Sequence, residues 1–361
     1  MRDHAPASGP ICIYHGNCAD GFTAAWVVRE ALGDGVEFVP GSYGLKPPNV
    51  AGRDVIMVDF SYKRPILANM AAQARSILIL DHHKTAAEDL AGFPSPAAPS
   101  MDMWPWAEHF QSVLAGEVGR VPVVLFDMER SGAQIAWDFF FPGQARPLLV
   151  DYVGDRDLWR FLLPASREVA ATVFSHPYDF AVWDGLADRL DGIGFGAVAS
   201  EGEAILRKHD KDISELIAVT RRMMFIGGRQ VPVANLPYTM ASDAAHLMAE
   251  HAPFAACYFD RPDARVFSLR SREGGADVAE IAALYGGGGH KHAAGFQRPL
   301  GWAGDDCLRE APGMLGDALR ALGGLIRFRN WELAEGGVTP PDLINAWKDA
   351  EAVLASGEAG R

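Results

Sequence analysis

Ser76-Ile77-Leu78-Ile79-Leu80-Asp81-His82-His83 sets four consecutive aliphatic residues directly before an acid and two imidazoles. A run this short and this apolar predicts a strand buried on both faces, the kind that parallel sheets use. Two other runs end in the same way. Ile11-Cys12-Ile13-Tyr14 leads to His15, with Asn17 and Asp20 just beyond, and Val55-Ile56-Met57-Val58 leads to Asp59. A fourth candidate strand, 121–126, carries Pro122 near its start, where strand prolines are tolerated. Helical patterns at 22–32, 132–141 and 147–153 lie between and after these runs. Strands separated by helix-length segments predict βαβ units, a parallel sheet and helices on both of its faces. In such sheets ligands sit at the carboxyl ends of the strands, which is where the acids and imidazoles fall.

The pattern changes farther along the chain. A parallel-sheet domain over 1–195 gives way to charged, helix-like sequence over 196–225 that reads as a connector. A smaller α/β domain follows at 226–328, with candidate strands at 230–235, 255–259 and 264–270. A tail over 329–361 contains Pro340-Pro341 and a helical pattern at 342–355. The fold class expected is therefore α/β in two domains joined by a helical connector.

Composition narrows the partners. The 361 residues are 49% hydrophobic and 22% charged, with a net charge of −13. A protein that grips long duplex DNA through its phosphates needs a basic surface, which this charge argues against. Short phosphorylated ligands remain compatible, because bound cations and a few arginines supply positive charge locally. No apolar run reaches the ~20 residues of a membrane-spanning helix. Residues 1–10 lack the basic-then-apolar design of a secretory signal, so a cytoplasmic protein is expected. Cys12, Cys18, Cys257 and Cys307 show no CxxC spacing, which indicates neither a zinc ribbon nor a disulfide framework.

One Asp after a strand is commonly a turn or helix-cap residue. Three strand ends that all carry acids or imidazoles are harder to assign to caps. Carboxylate oxygens mixed with imidazole nitrogens suit divalent ions, Mn²⁺ above all, with Mg²⁺, Fe²⁺ or Co²⁺ also fitting. Asp155 and Asp157 flank Arg156 after a short apolar helix and add to this set. Ser131 reads as an N-cap. Trp104-Pro105-Trp106 and Phe139-Phe140-Phe141 read as packing groups, with base stacking as their alternative use.

Asp81-His82-His83 after an apolar strand resembles the signature of the DHH phosphoesterases. The 15–25 stretch His-Gly-Asn-Cys-Ala-Asp-Gly-Phe-Thr-Ala-Ala is similar to that family's first motif, Asp59 to its second and 155–159 to its fourth. In the second domain, 268–271, the Gly286-Gly287-Gly288-Gly289-His290 run and 293–296 resemble the DHHA1 substrate-binding module. The resemblance covers residues 11–325. It implies two divalent cations, most readily Mn²⁺ (Mg²⁺ or Co²⁺ as alternatives), sharing a hydroxide that attacks phosphorus. It assigns metal to His15, Asp20 and bridging Asp59, with Asp81, His82 and Asp155 completing the coordination of the second ion and His83 close by. Catalysis would rest on Asp59, Asp81, His82 and His83. Substrate phosphate would meet Arg270, Ser271, Gly287, Gly288, Gly289 and His290, with Lys291 and His292 at the rim.

The first motif departs from the family's pattern, because Asn17 and Cys18 stand where an acid is expected. Asn17 as a neutral oxygen ligand and Asp157 in place of Asp155 are the open alternatives, and a packed thiol is the simpler reading of Cys18. The resemblance implies a phosphodiesterase, phosphatase or exonuclease for short oligonucleotides, dinucleotides or nucleoside 3′,5′-bisphosphate. A homodimer is compatible with it. An inorganic pyrophosphatase or exopolyphosphatase, and a non-catalytic nucleotide sensor, are the competing readings.

Overall fold

The structure is a computed structural model, which describes residues 9–42, 44–95 and 121–305. The described residues fall into two compact units: one reaches Glu215 and includes Gly289–Lys291, and the other takes Leu216–Gly288 and continues from His292. The tail over 329–361, Cys307 and the Trp104-Pro105-Trp106 stretch lie outside the described residues.

In the first unit, β1 (Ile11–His15), β2 (Glu37–Gly41), β3 (Asp54–Val58), β4 (Ser76–Asp81) and β5 (Val123–Phe126) form one sheet in the order β2-β1-β3-β4-β5. Every pairing in it is parallel. Alternation along the strands sorts the core into two faces. Cys12, Ile56, Val58, Leu78 and Leu80 pack on one side, and Ile11, Ile13, Val55, Met57, Ile77 and Ile79 on the other. The first face is covered by α1 (Ala19–Leu32), α4 (Gly132–Phe140), α5 (Leu148–Asp157), α6 (Ser166–Ser175) and α7 (Phe180–Gly192); α2 (Arg64–Ala71) covers the second. Burying each of these aliphatic side chains contributes roughly 1.5–3 kcal/mol, which is why both strand faces are apolar in sequence. A short helix α3 (Lys84–Asp89) follows β4 directly.

The strand order reverses between β1 and β3, because β2 lies on the far side of β1. This switch point is where doubly wound sheets leave a crevice for ligands. His15 ends β1 and Asp59 follows β3, one on each side of it.

Strand β2 has no counterpart in the sequence pattern. It is an edge strand with Pro40 in it and only Gly41 buried, so it shows neither the apolar run nor strict alternation. The helical connector is expected over 196–225. A single 26-residue helix, α8 (Phe195–Thr220), occupies most of the region, and the division between units falls inside it.

The strands of the second sheet are β6 (Arg222–Ile226), β7 (Arg229–Asn235), β8 (Ala255–Asp260), β9 (Arg265–Arg270), β10 (Gly288–His290, whose Gly289 and His290 fall with the first unit) and β11 (Ala293–Arg298). They form a mixed sheet ordered β10-β11-β9-β8-β7-β6. β7 and β8 run parallel, while the β6–β7, β8–β9 and β9–β11 pairs are antiparallel. Helices α9 (Ala241–Met248) and α10 (Val278–Ala283) complete it. The three strands expected here are β7, β8 and β9; the glycine run and the 293–296 motif add β10 and β11 to the same sheet. No helix among the described residues is long and apolar enough to cross a membrane.

Candidate metal centre

Asp59 is the hub. Its carboxylate is 1% exposed, with Oδ2 3.2 Å from His15 Nδ1 and Oδ1 3.0 Å from His82 Nε2. The residue takes φ +54°, a left-handed conformation that Asp tolerates better than most side chains. Its amide still donates to the Leu80 carbonyl, so the turn happens on the sheet rather than beyond it. Strained backbone held by surrounding structure is typical of functional positions.

Asp20 sits in the first turn of α1, fully buried. Its Oδ2 accepts from the Gly132 amide at 2.6 Å and its Oδ1 from the Ala133 amide at 3.2 Å, so the α4 N-terminus holds this carboxylate. Asp20 Oδ2 also lies 3.9 Å from His82 Nε2. Gly132 permits the approach: a Cβ there would meet Asp59 Cβ at 2.5 Å and Asp20 Oδ2 at 2.9 Å. Ser131 caps α4 in a capping box with Gln134, as its sequence position predicts. Gly21 acts likewise for α1, since a Cβ on it would lie 2.5 Å from the His15 carbonyl oxygen. The sequence pattern gives neither glycine a role in the site. The small residue directly after the Ser131 cap is the available signal.

The Asp81-His82-His83 string divides its labour. Asp81 Oδ1 accepts from the His82 amide at 2.7 Å, the His83 amide at 3.2 Å and His83 Nδ1 at 2.7 Å. It thus orients the His83 ring, as carboxylates do behind metal-binding histidines. The family resemblance puts Asp81 among the ligands and His83 beside them. The geometry brings His83 forward, because its ring nitrogen joins two of the three groups of ligand-type atoms that converge here. These groups are His15–Asp59–His83, Asp20–Asp59–His82 and His82–His83–His290, the ligand atoms of each lying within 4.8 Å of one another. Gly289–Lys291 fall with the first unit, and there the His290 ring stacks on His83 with centroids 4.6 Å apart.

Asp155 and Asp157 need a correction. The expected ligand is Asp155, yet its buried carboxylate is taken up by the amides of Leu162 (2.9 Å) and Leu163 (3.2 Å) and by the Ser166 hydroxyl. Asp157 Oδ2 instead lies 3.4 Å from His82 Nε2. Both residues belong to α5, which runs on to Asp157 instead of stopping at 153. Residues two apart on a helix point about 200° away from each other, so only one of the pair can face the cluster.

The first motif is also resolved locally. Asn17 is exposed at φ +58°, a turn role that Asn fills readily. Cys18 is held as a neutral thiol: burial, reinforced by the charges of Asp59, Asp157 and Asp20, pushes its pKa well up. That fits a packed thiol better than a thiolate ligand.

Charge crowding dominates the electrostatics. Burial tends to raise Asp59, but hydrogen bonds from His15 and His82 outweigh it and hold the carboxyl well below its usual range. Burial, with the nearby charges of Asp59 and Asp157, raises Asp20 well above that range; desolvation, opposed by His82 and reinforced by Asp59, also raises Asp157. Burial would lower His82, yet Asp59, Asp157 and Asp20 together lift it to about 10. Desolvation and the imidazoles of His83 and His82 push His290 down to about 2, so that ring is neutral.

These donors fit a divalent cation. The upward shifts of Asp20, Asp157 and His82 reflect crowded carboxylate charge, which a bound cation would relieve. Asp81 Oδ2 and His82 Nδ1 are buried polar atoms with no hydrogen-bond partner among the described residues. His15 and Asp157 keep 27% and 28% of their side chains exposed, which leaves the cluster a route to solvent.

In the second unit, Arg270 closes β9 as expected, but its guanidinium donates to the Leu269 carbonyl and to Ser242 Oγ. Ser271 is buried with its hydroxyl 2.9 Å from His292 Nδ1. The glycine run is not one open loop. Gly286 turns at φ +79°, and Gly287 packs so closely that a Cβ would meet the Gly295 carbonyl oxygen at 2.1 Å. Gly288, Gly289 and His290 then form β10; within the first unit, the Gly289 amide donates to Thr85 Oγ1. Phe139 and Phe140 are core residues, in line with the packing reading.

No family model matches the chain. An uncharacterized protein of Acanthamoeba polyphaga mimivirus is 27% identical over 311 residues, 79% of this chain. The chain spans 66% of the length of that relative. Three solved structures show likeness at low scores. A DHH domain from a member of a family of ribosomal proteins has TM-score 0.48 and 12% identity, over 80% of this chain and 82% of that one. RecJ with Mn²⁺ from Thermus thermophilus has TM-score 0.41 and 15% identity, over 96% of this chain and 57% of that one. A pGpG-specific phosphodiesterase from Vibrio cholerae has TM-score 0.36 and 16% identity, over 89% of this chain and 99% of that one.

Proposed function

We propose that this chain is a divalent-cation-dependent phosphoesterase of the DHH type that acts on short phosphate-bearing substrates. The observation that carries this reading is Asp59, buried at a left-handed turn with one carboxylate oxygen facing His15 and the other His82. A bridging carboxylate between two imidazoles, with Asp20 and Asp157 beside the second, is a ligand set for a pair of ions such as Mn²⁺. His15, Asp20, Asp59, His82, His83 and Asp157 would hold them, and Asp81 would orient His83. Bound ions of this kind neutralise phosphoryl oxygens and make water nucleophilic near neutral pH.

The chain's own groups define the rest. The α4 N-terminus fixes Asp20, so that carboxylate cannot swing toward solvent. Asp59, with its lowered pKa, stays ionised through the neutral range and into acid. The neutral His290 ring is available to donate or accept one hydrogen bond beside His83. Arg270, Ser271 and Gly287–Gly289 are proposed as phosphate contacts on the strength of the motif resemblance. In the structure Arg270 and Ser271 are engaged within the second unit.

The test is a substrate panel of diadenylate, longer RNA, nucleoside 3′,5′-bisphosphate, a cyclic dinucleotide and pyrophosphate, each assayed with Mn²⁺ and with Mg²⁺. Metal-dependent turnover of a short phosphate ester supports the reading. Turnover of pyrophosphate alone would make the chain a phosphoanhydride hydrolase, and nucleotide binding without turnover of any ester would make it a sensor.

A further inference from the structure

Two carboxylates from different helices converge on one imidazole nitrogen. Asp20 Oδ2 lies 3.9 Å and Asp157 Oδ2 3.4 Å from His82 Nε2. Asp20 is held by the Gly132 and Ala133 amides at the start of α4, whereas Asp157 is the last residue of α5. The spacing between the two carboxylates therefore depends on how closely α5 seats against the first turn of α4.

Gln134 occupies that junction. It is 8% exposed, and its side-chain amide is used at both ends. Oε1 accepts from the amide of Ser131, the residue before Gly132, at 3.2 Å. Nε2 donates to Asp151 Oδ1 on α5 at 3.4 Å. A backbone N–H at one end and a carboxylate at the other admit a single orientation of the amide. One turn beyond Asp151, Gly154 makes room for this side chain, since a Cβ there would meet Gln134 Cδ at 2.7 Å and Nε2 at 2.8 Å. A glycine inside a helix costs roughly 1 kcal/mol against alanine, so α5 keeps its close seat on Gln134 despite a loss of helix stability. Asp157 follows three residues after Gly154, on the same side of α5.

Helix capping explains only half of this arrangement. A capping box uses the Oε1 acceptor, and Glu serves there as well as Gln. The Nε2 donor and the glycine packed against it have no part in a cap; both face α5.

We propose that Gln134 is a positioning residue for the cation centre: by tying the start of α4 to α5, it sets the distance between Asp20 and Asp157 across His82. The inference rests on the phosphoesterase reading for the presence of the cation, and it is measured without turnover.

The experiment exchanges donor and acceptor across the junction. Gln134→Glu keeps the cap, loses the donor and sets a second carboxylate against Asp151. Asp151→Asn keeps an acceptor for Nε2. The double variant restores the bond in reverse, from Asn to Glu, at the net charge of the wild type. Mn²⁺ calorimetry and the electron paramagnetic resonance line shape of bound Mn²⁺ are read on the full chain, with thermal unfolding as the check on folding. Gln134→Glu is expected to lose about 10- to 100-fold in Mn²⁺ affinity, the range for groups that orient ligands, and to alter the line shape. Asp151→Asn and the double variant should stay close to the wild type in both readouts. Equal or tighter Mn²⁺ binding by Gln134→Glu, or no recovery in a folded double variant, would overturn the positioning role and leave the phosphoesterase reading standing. Should the double variant not fold, Gly154→Ala presses on the same side chain, and wild-type Mn²⁺ affinity and line shape in it would overturn the role equally. Absence of saturable Mn²⁺ uptake by the wild type is the different result that would sink the phosphoesterase reading, and the positioning role with it.

Discussion

Gly132→Ala should damage the centre without replacing any side chain that is proposed to bind metal. The new Cβ would sit 2.5 Å from Asp59 Cβ, 2.9 Å from Asp59 Cα and 2.9 Å from Asp20 Oδ2. The two Asp59 atoms are backbone or the fixed start of a side chain, so neither can rotate away. Relief requires α4 to retreat, which lengthens the 2.6 Å hydrogen bond from the Gly132 amide to Asp20. Overpacking of this kind costs about 1–3 kcal/mol. Replacing a helical glycine by alanine returns at most ~1 kcal/mol. The net loss of about 1–2 kcal/mol lowers Tm by roughly 2–8 °C for a unit of this size. Because Asp59 and Asp20 are displaced together, Mn²⁺ affinity should drop about 10- to 100-fold, as it does when groups that orient ligands are disturbed. Thermal unfolding and Mn²⁺ calorimetry read the two effects separately. An unchanged Tm and unchanged Mn²⁺ binding would show that α4 does not press on Asp59.

Gly185→Ala supplies the opposite sign, because a Cβ there meets nothing within 4 Å inside α7; stability should rise by about 0.5–1 kcal/mol, measured by urea unfolding. Asp157→Asn should lower Mn²⁺ affinity at nearly unchanged Tm, whereas Asp155→Asn should lower Tm first, by weakening the acceptor for Leu162, Leu163 and Ser166. The reverse pattern in calorimetry and thermal scans would restore Asp155 as the ligand. Asp184, which accepts from Arg29 and Trp26, has a pKa held below its usual value by the Arg29 hydrogen bonds. A depressed carboxyl stabilises the fold above its unfolded pKa of about 4 and loses that contribution as pH falls through the folded value. The pair is part-exposed, so Asp184→Asn should cost no more than ~1 kcal/mol at neutral pH. The difference from wild type should vanish in denaturant titrations run in strong acid, below the folded pKa.

The parallel sheet is legible in the sequence because its central strands are buried on both faces and therefore read as unbroken aliphatic runs ending in Asp59 or Asp81. The edge strand β2 is not, since much of its surface faces solvent and Pro40 interrupts the pattern. His15, Asp20, Asp59 and His82 can be found for the same reason as the strands they terminate or follow. The choice between Asp155 and Asp157 cannot, because it depends on helix phase and on where α5 ends. The sequence pattern stops at Val153 while backbone hydrogen bonding continues to Leu158. Gly132 escapes a sequence reading because its role is a contact with residues far away in the chain, which no local pattern encodes.

If Asp59 joins two imidazole-containing halves of one divalent-cation centre, removing its charge must uncouple them. Titrating Mn²⁺ into the wild-type chain and into Asp59→Asn, with calorimetry and the Mn²⁺ electron paramagnetic resonance signal as paired readouts, tests this most directly. Saturable Mn²⁺ binding with spin coupling between two ions is expected in the wild type, and loss of the coupled signal in Asp59→Asn while the fold survives. Equal Mn²⁺ uptake and identical spectra in the two proteins would contradict a bridging Asp59.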